Sequence, residues 1–271
     1  MASASGDFQE LKQRLRGMWM AGDFGQIARL NEREGVEFVS RLDLKPGMKV
    51  LDVACGTGNQ SLPAARAGAD VTGLDLAPNL LEQARQRAQS EGLKIEFVEG
   101  DAEQLPQGDA SFDVVMSMFG AMFAPRPDKV ASELLRVCRP GGFVAMGNWT
   151  PDGFVGNMFR ITAKHSPPPP GVPAPVLWGD PNTVAERFSP AARVNSRKRE
   201  LLFEYPFGPA EVVEHFKQYF GPTKTTFARL DAPAQEALKK DLVRHWEAHN
   251  EGGAEKVRIK AEYLEVRAEV A

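Results

Sequence analysis

VLDVACGTGN, residues 50–59, is an apolar run of strand type that breaks into a glycine turn and carries one carboxylate, Asp52, inside the run. Val50, Leu51 and Val53 read as a parallel strand buried on both faces, and Gly56 and Gly58 let the backbone turn sharply and lie against a ligand where a Cβ would collide. A second acid follows at the spacing a strand–helix–strand unit delivers. In VTGLDLAP, residues 71–78, Asp75 closes another short apolar run, about 20 residues downstream, where the next strand ends beside the first turn. A carboxylate there is placed to accept hydrogen bonds from the two hydroxyls of a ribose, so the pair of motifs points to a nucleoside-type cofactor.

Working outward, the sequence from Lys45 to about Asn148 alternates strand, turn and helix. Strands are expected near 49–54, 71–75, 94–98, 112–117 and 142–147, and helices over 59–67, 78–91 and 128–138. Pro78 sits in a first helical turn and Gly92 just beyond a last one, while Val130, Leu134 and Val137 share one face. Such alternation calls for a mostly parallel sheet covered by helices on both faces, an α/β fold. Residues 8–42 read as a helical arm broken at Gly22 to Gly25, in front of a core spanning 45–148. Beyond Trp149 the pattern fails. SPPPPGVPAP, residues 166–175, suits neither a helix interior nor a central strand and reads as a loop or cap. Strands over 199–207 and 259–270, with helices over 209–220 and 233–249 between them, complete a seven-stranded sheet with one antiparallel edge. The expected division is an arm or lid at 1–44, a cofactor-binding core at 45–148, and a loop and helical cap with the last two strands at 149–271.

Composition excludes several classes. The 271 residues include 42% hydrophobic side chains, a net charge of −3 and a pI near 5.9, without the basic excess of a general nucleic-acid binder. Two cysteines, Cys55 and Cys138, provide neither a disulfide framework nor a four-cysteine metal site, and a reducing cytoplasmic setting fits. No apolar run approaches the roughly 18 residues needed to span a bilayer, and no exported leader is visible. A homo-oligomer is compatible with these features, and no metal is expected.

The order of motifs resembles the class I S-adenosylmethionine-dependent methyltransferases of the small-molecule type, related to the ubiquinone and menaquinone methyltransferases. The likeness covers residues 45–148: VLDVACGTGN, Asp75, GDAEQLP at 100–106, FDVVMSMFGAMF at 112–123 and LRVCRPGG at 135–142. It implies a Rossmann-like fold and S-adenosyl-L-methionine as cofactor. Asp52, Ala54, Gly56, Gly58 and Asn59 would then surround the methionine portion, Asp75 the ribose, Leu76, Asp101 and Ala102 the adenine, and Ser117 and Met118 the amino-acid end. The turn lacks the third glycine of the dinucleotide fingerprint, and Asp52 would repel a pyrophosphate while favouring a ligand that carries an ammonium and a sulfonium. The rivals are a non-catalytic module that senses the same cofactor and a nicotinamide-dependent oxidoreductase. For Asp101 the alternative is a turn or N-cap aspartate.

Residues 45–148 contain no His, Tyr or Trp, so substrate handling has to come from the arm or the cap. Methyl transfer is an in-line displacement that positioning and desolvation can drive without an acid–base residue. Substrate-binding candidates are Trp19 in the arm, Phe119, Met122 and Phe123 after the fourth strand, Trp149 at the end of the fifth, Trp178 after the proline loop, and Tyr219. Each has a plain packing alternative. His165 and Tyr219 are the candidate catalytic groups, His215 shares a helical face with Tyr219, and the cluster Arg193, Arg197, Lys198 and Arg199 either grips an anionic substrate or guards a sheet edge. His245 and His249, four residues apart, mimic a metal face but lack a third ligand. The methyl acceptor is expected to be a small, rather apolar molecule.

Overall fold

The computed structural model describes residues 4–271. Three helices form the arm: α1 (Ala4–Met20), α2 (Phe24–Ala28) and α3 (Glu32–Ser40). Then come β1 (Lys49–Val53), α4 (Ser61–Arg66), β2 (Asp70–Asp75), α5 (Pro78–Ser90), β3 (Ile95–Glu99), β4 (Phe112–Met118), α6 (Pro127–Val137) and β5 (Cys138–Trp149). The later part holds α7 (Phe154–His165), α8 (Pro181–Phe188), β6 (Ala192–Tyr205), α9 (Pro209–Tyr219), α10 (Gly221–Arg229), α11 (Ala232–His249) and β7 (Val257–Val270). All seven strands join one sheet in the order β3-β2-β1-β4-β5-β7-β6.

Hydrophobic patterning explains the centre of the sheet. Val50, Leu51, Val53, Val114, Val115 and Met116 are all fully buried, as a strand covered by helices on both faces requires. In α6 the buried stripe is Val130, Ala131, Leu134 and Val137. Proline in the first turn opens α5 and α6, and Asp180 and Asp231 cap α8 and α11 by accepting from the N–H groups of Thr183 and Ala234.

The antiparallel strand is not at the edge, which corrects the sequence expectation. β7 runs antiparallel to both β5 and β6, so it lies inside the sheet, and the edge strand β6 points the same way as β5. Burial dictates the choice. Ile259, Ala261, Tyr263, Leu264, Val266 and Ala268 of β7 are buried, whereas the first half of β6 is mainly exposed and charged, the composition that protects an edge. The charges of β6 reach across to the neighbouring strand: Arg193 to Glu269, Lys198 to Glu262 and Arg199 to Glu265.

Strand order reverses direction of growth between β1 and β4, and a crevice opens outside the carboxyl ends of the strands at that point. Among the described residues no helix is long and apolar enough to cross a membrane.

Candidate functional site

A large cleft occupies this switch point and encloses about 1530 Å³, its open mouth included. Its floor comes from short turns at strand ends: Ala54 to Thr57 after β1, Asp75 and Leu76 at β2, Gly100 to Ala102 after β3, and Met118 to Ala121 after β4. Two non-glycine residues, Ala54 and Phe119, hold φ near +60° at the ends of β1 and β4 (56° and 60°), a conformation concentrated where function over-determines the backbone. Gly120 lets the two turns meet, because a Cβ there would lie 2.5 Å from the carbonyl oxygen of Ala54.

Electrostatically the floor is defined by two buried acids. Asp75 accepts the backbone N–H of Gly56 and of Ala77, each at 2.8 Å, and burial raises its pKa against those donors. Asp52 is 1% exposed and accepts the hydroxyl of Ser61 at 2.5 Å, but its Oδ1 has no partner. Burial, with help from the charge of Asp75, pushes Asp52 up to about 7. An orphaned buried carboxylate oxygen is costly unless a donor or a positive group arrives. The floor therefore fits a ligand that brings cationic groups and hydroxyls, and it does not fit a phosphate.

Asn59 lines the cleft while stapling the arm to the floor: its amide donates to the carbonyl of Ala28 at 2.8 Å and accepts from Arg87 at 2.7 Å. Leu76, Ala102 and Met118 also line it. Asp101 lines the far end, where one oxygen accepts the N–H of Glu103 at 2.9 Å. Asp52, Gly58 and Ser117 lie beneath the lining rather than in it: Gly58 packs on Leu62, and the Ser117 hydroxyl accepts the N–H of Ala121 at 3.0 Å.

The opposite wall is aromatic. Phe119 stacks on Trp149 with centroids 3.8 Å apart and planes 3° from parallel. Trp19 makes edge contacts with Phe24, Phe123 and Phe220 at 5.2 to 5.8 Å. Phe159 of α7, Phe203 of β6, Phe216 of α9 and Trp246 of α11 complete the wall. Sequence reasoning missed Phe24, Phe159, Phe203, Phe216, Phe220 and Trp246, because aromatics on amphipathic helices and strands look like ordinary core until their partners are known. It also missed Lys12, which lines the cleft from α1.

The structure sends other candidates elsewhere. Trp178 is 1% exposed and packs on Phe188 and under the guanidinium of Arg187, away from the cleft, so its pocket assignment is corrected. Met122 turns into the core, and Tyr219 lies against His215 on the side of α9 facing away from the lining, while its neighbours Phe216 and Phe220 point in. His165 pairs with Asp241 at 2.9 Å, joining α7 to α11 outside the cleft. His245 is bonded to the carbonyl of Phe154, and His249 to that of His245. Among the described residues no cluster of His, Cys, Asp or Glu could hold a metal.

Known proteins resemble the chain in sequence and in fold. A family model described as "Methyltransferase domain" matches residues 50–142. The uncharacterized protein Rv1403c of Mycobacterium tuberculosis is 39% identical over 248 residues, 86% of this chain and 90% of its own length. Methyltransferase GfsG of Streptomyces halstedii is 41% identical over 125 residues, 45% of each chain. A demethylmenaquinone methyltransferase of Renibacterium salmoninarum is 42% identical over 105 residues, 39% of this chain and 43% of the relative. Of solved structures, the YcgJ protein of Bacillus subtilis superimposes with a TM-score of 0.59 at 16% identity over 87% of this chain and 97% of the other. The Haemonchus contortus phosphoethanolamine N-methyltransferase 2, in complex with S-adenosyl-L-methionine, gives 0.56 at 18% identity over 88% and 53%.

Proposed function

Because the chain belongs to the class I S-adenosylmethionine-dependent methyltransferases, we propose that it methylates a small, apolar acceptor held between the arm and the late helices. Its cofactor, when bound, supplies an electrophilic methyl group on a sulfonium. The observation that carries the choice of acceptor is the division of the cleft: its ionisable lining side chains, Lys12, Cys55, Asp75 and Asp101, all belong to the floor or to the arm above Asp101. The wall that an acceptor would touch is built from Trp19, Phe119, Phe123, Trp149, Phe220 and Trp246 and offers no carboxylate or imidazole.

In this proposal Asp75 receives the ribose hydroxyls, its geometry fixed by the two backbone donors, and Gly56 with Ala54 and Thr57 lets the main chain run along the methionine portion. Asp101 and the N–H of Ala102 face the adenine, and Met118 closes the floor below the reacting centre. Asp52 balances the positive charge from beneath the turn. The aromatic wall holds the acceptor in line and excludes water. Positioning of this kind can contribute about 7 to 11 kcal/mol, so no general base from the protein is required.

Two measurements test the proposal. Titration calorimetry should show S-adenosylhomocysteine binding to the wild type. Transfer of labelled methyl should then favour apolar aromatic acceptors over charged ones of equal size. Preferential transfer to charged acceptors would overturn the choice of substrate class.

A further inference from the structure

The roof over the adenine end of the cleft is α1, and it is pinned there by charge. Lys12 Nζ lies 2.5 Å from Asp101 Oδ2 and 2.7 Å from Glu103 Oε2. One turn further on, Arg16 pairs with Glu99 at 2.8 Å. Lys12 and Arg16 share one helical face, and both partners' segments belong to β3 and the loop that follows it. Leu15 and Trp19 of the same helix line the cleft, so the pinned helix covers it. Glu103 keeps a second partner in Arg126, whose backbone N–H and Nε both donate to it at 2.7 Å. Among the described residues Asp101 has no second cation, only the backbone N–H of Glu103.

We propose that Lys12 is the gate residue of the cofactor site: it takes, on Asp101, the place of the adenine amino group, and α1 must lift before the cofactor can enter. This rests on the assignment of Asp101 to the adenine. The exchange is chemically like for like, an N–H donor for an N–H donor on the same carboxylate oxygen. As the amino group takes Asp101, the ammonium of Lys12 retains Glu103, so the helix can close again over the bound nucleoside with the Lys12 charge still paired and Asp101 still hydrogen-bonded. Lid motions of this type set the rate of ligand exchange in many enzymes.

Stopped-flow tryptophan fluorescence with S-adenosylhomocysteine reads the gate directly, since Trp19 and Trp149 line the cleft. Lys12→Met should raise the association rate constant roughly tenfold, the scale of a part-buried ion pair, without weakening the equilibrium affinity. Lys12→Arg, which keeps the charge, should stay slow. Higher salt should speed association to the wild type more than to K12M, which keeps only the exposed Arg16–Glu99 pair, the reverse of electrostatic steering; the ligand has no net charge to be steered. An unchanged association rate in K12M, with its thermal melt intact, would remove the gate. A weaker affinity would make Lys12 a cofactor ligand instead and also overturn it. Asp101→Ala in the K12M background, which leaves no side-chain acceptor for the amino group, separates the two layers. Loss of affinity there with no gain in rate in K12M keeps the adenine assignment and ends the gate, whereas undiminished affinity ends the assignment and the exchange with it.

Discussion

The floor of the cleft and its wall are made by different means. The floor is a set of turns, each within a few residues of a strand end, whose ligand-facing groups are backbone atoms and the carboxylate of Asp75, fixed by local hydrogen bonds, with Asp52 buried beneath. The wall is assembled from α1, α2, the segment after β4, β5, α7, β6, α9 and α11, so its rings come from positions as far apart as Trp19 and Trp246. A floor of this kind serves any member of a family that shares the cofactor. A wall gathered from distant segments is not specified by the fold alone.

Substitutions can sharpen or break that contrast. The largest effect is expected from Asp52→Asn. Burial holds the folded pKa of Asp52 at about 7, above its unfolded value, so the folded state binds the extra proton between about pH 4 and pH 7 and stability falls as pH rises through that window. Asparagine, which can still accept from Ser61, should flatten the fall and stabilise the apo protein at pH 8 by up to about 4 kcal/mol. Chemical denaturation at a series of pH values measures it; parallel wild-type and variant curves would mean that Asp52 is not the group that titrates.

Next, Asp75→Ala should weaken S-adenosylhomocysteine binding about a hundredfold, the loss of two hydrogen bonds to a charged group, while the protein stays folded. Calorimetry reads the affinity, and an unchanged value would take Asp75 out of the floor's function. On the wall, Phe123→Leu removes ring contacts to Trp19 and Phe159 at about 1 kcal/mol. It should raise the acceptor KM severalfold and leave cofactor affinity alone. If cofactor affinity falls instead, floor and wall are not separate. The smallest effect belongs to His165→Gln. With its ring on Asp241 outside the cleft, the variant should match wild-type kcat and cofactor affinity, and a large fall in kcat would place the chemistry elsewhere.

The same contrast explains what could be read early. The strand periods at 50–53 and 112–117 and the glycine turn reported their own conformation. Strand ends and helix limits moved by several residues, as in β5, which begins at Cys138 rather than 142, because pairing along the sheet extends a strand beyond its apolar run. The interior position of β7 required knowing that β6 is too charged to be covered. Tyr219 and Phe220 are adjacent in sequence and diverge in the fold, one against His215 and the other into the cleft. Helical phase alone does not say which face a cleft will meet.

What the sequence determined by itself was the parallel core, its order of motifs and the acids and glycines of the floor. These follow from backbone torsions and hydrophobic periods that operate over a few residues. Tertiary structure alone decided which late rings join Trp19, Phe119, Phe123 and Trp149 in the aromatic wall, the retirement of Trp178, Met122 and His165 to packing and pairing, and the pairing of Lys12 with Asp101 and Glu103. Each depends on which side chains meet across long stretches of chain, and that is set by how the helices dock on the finished sheet.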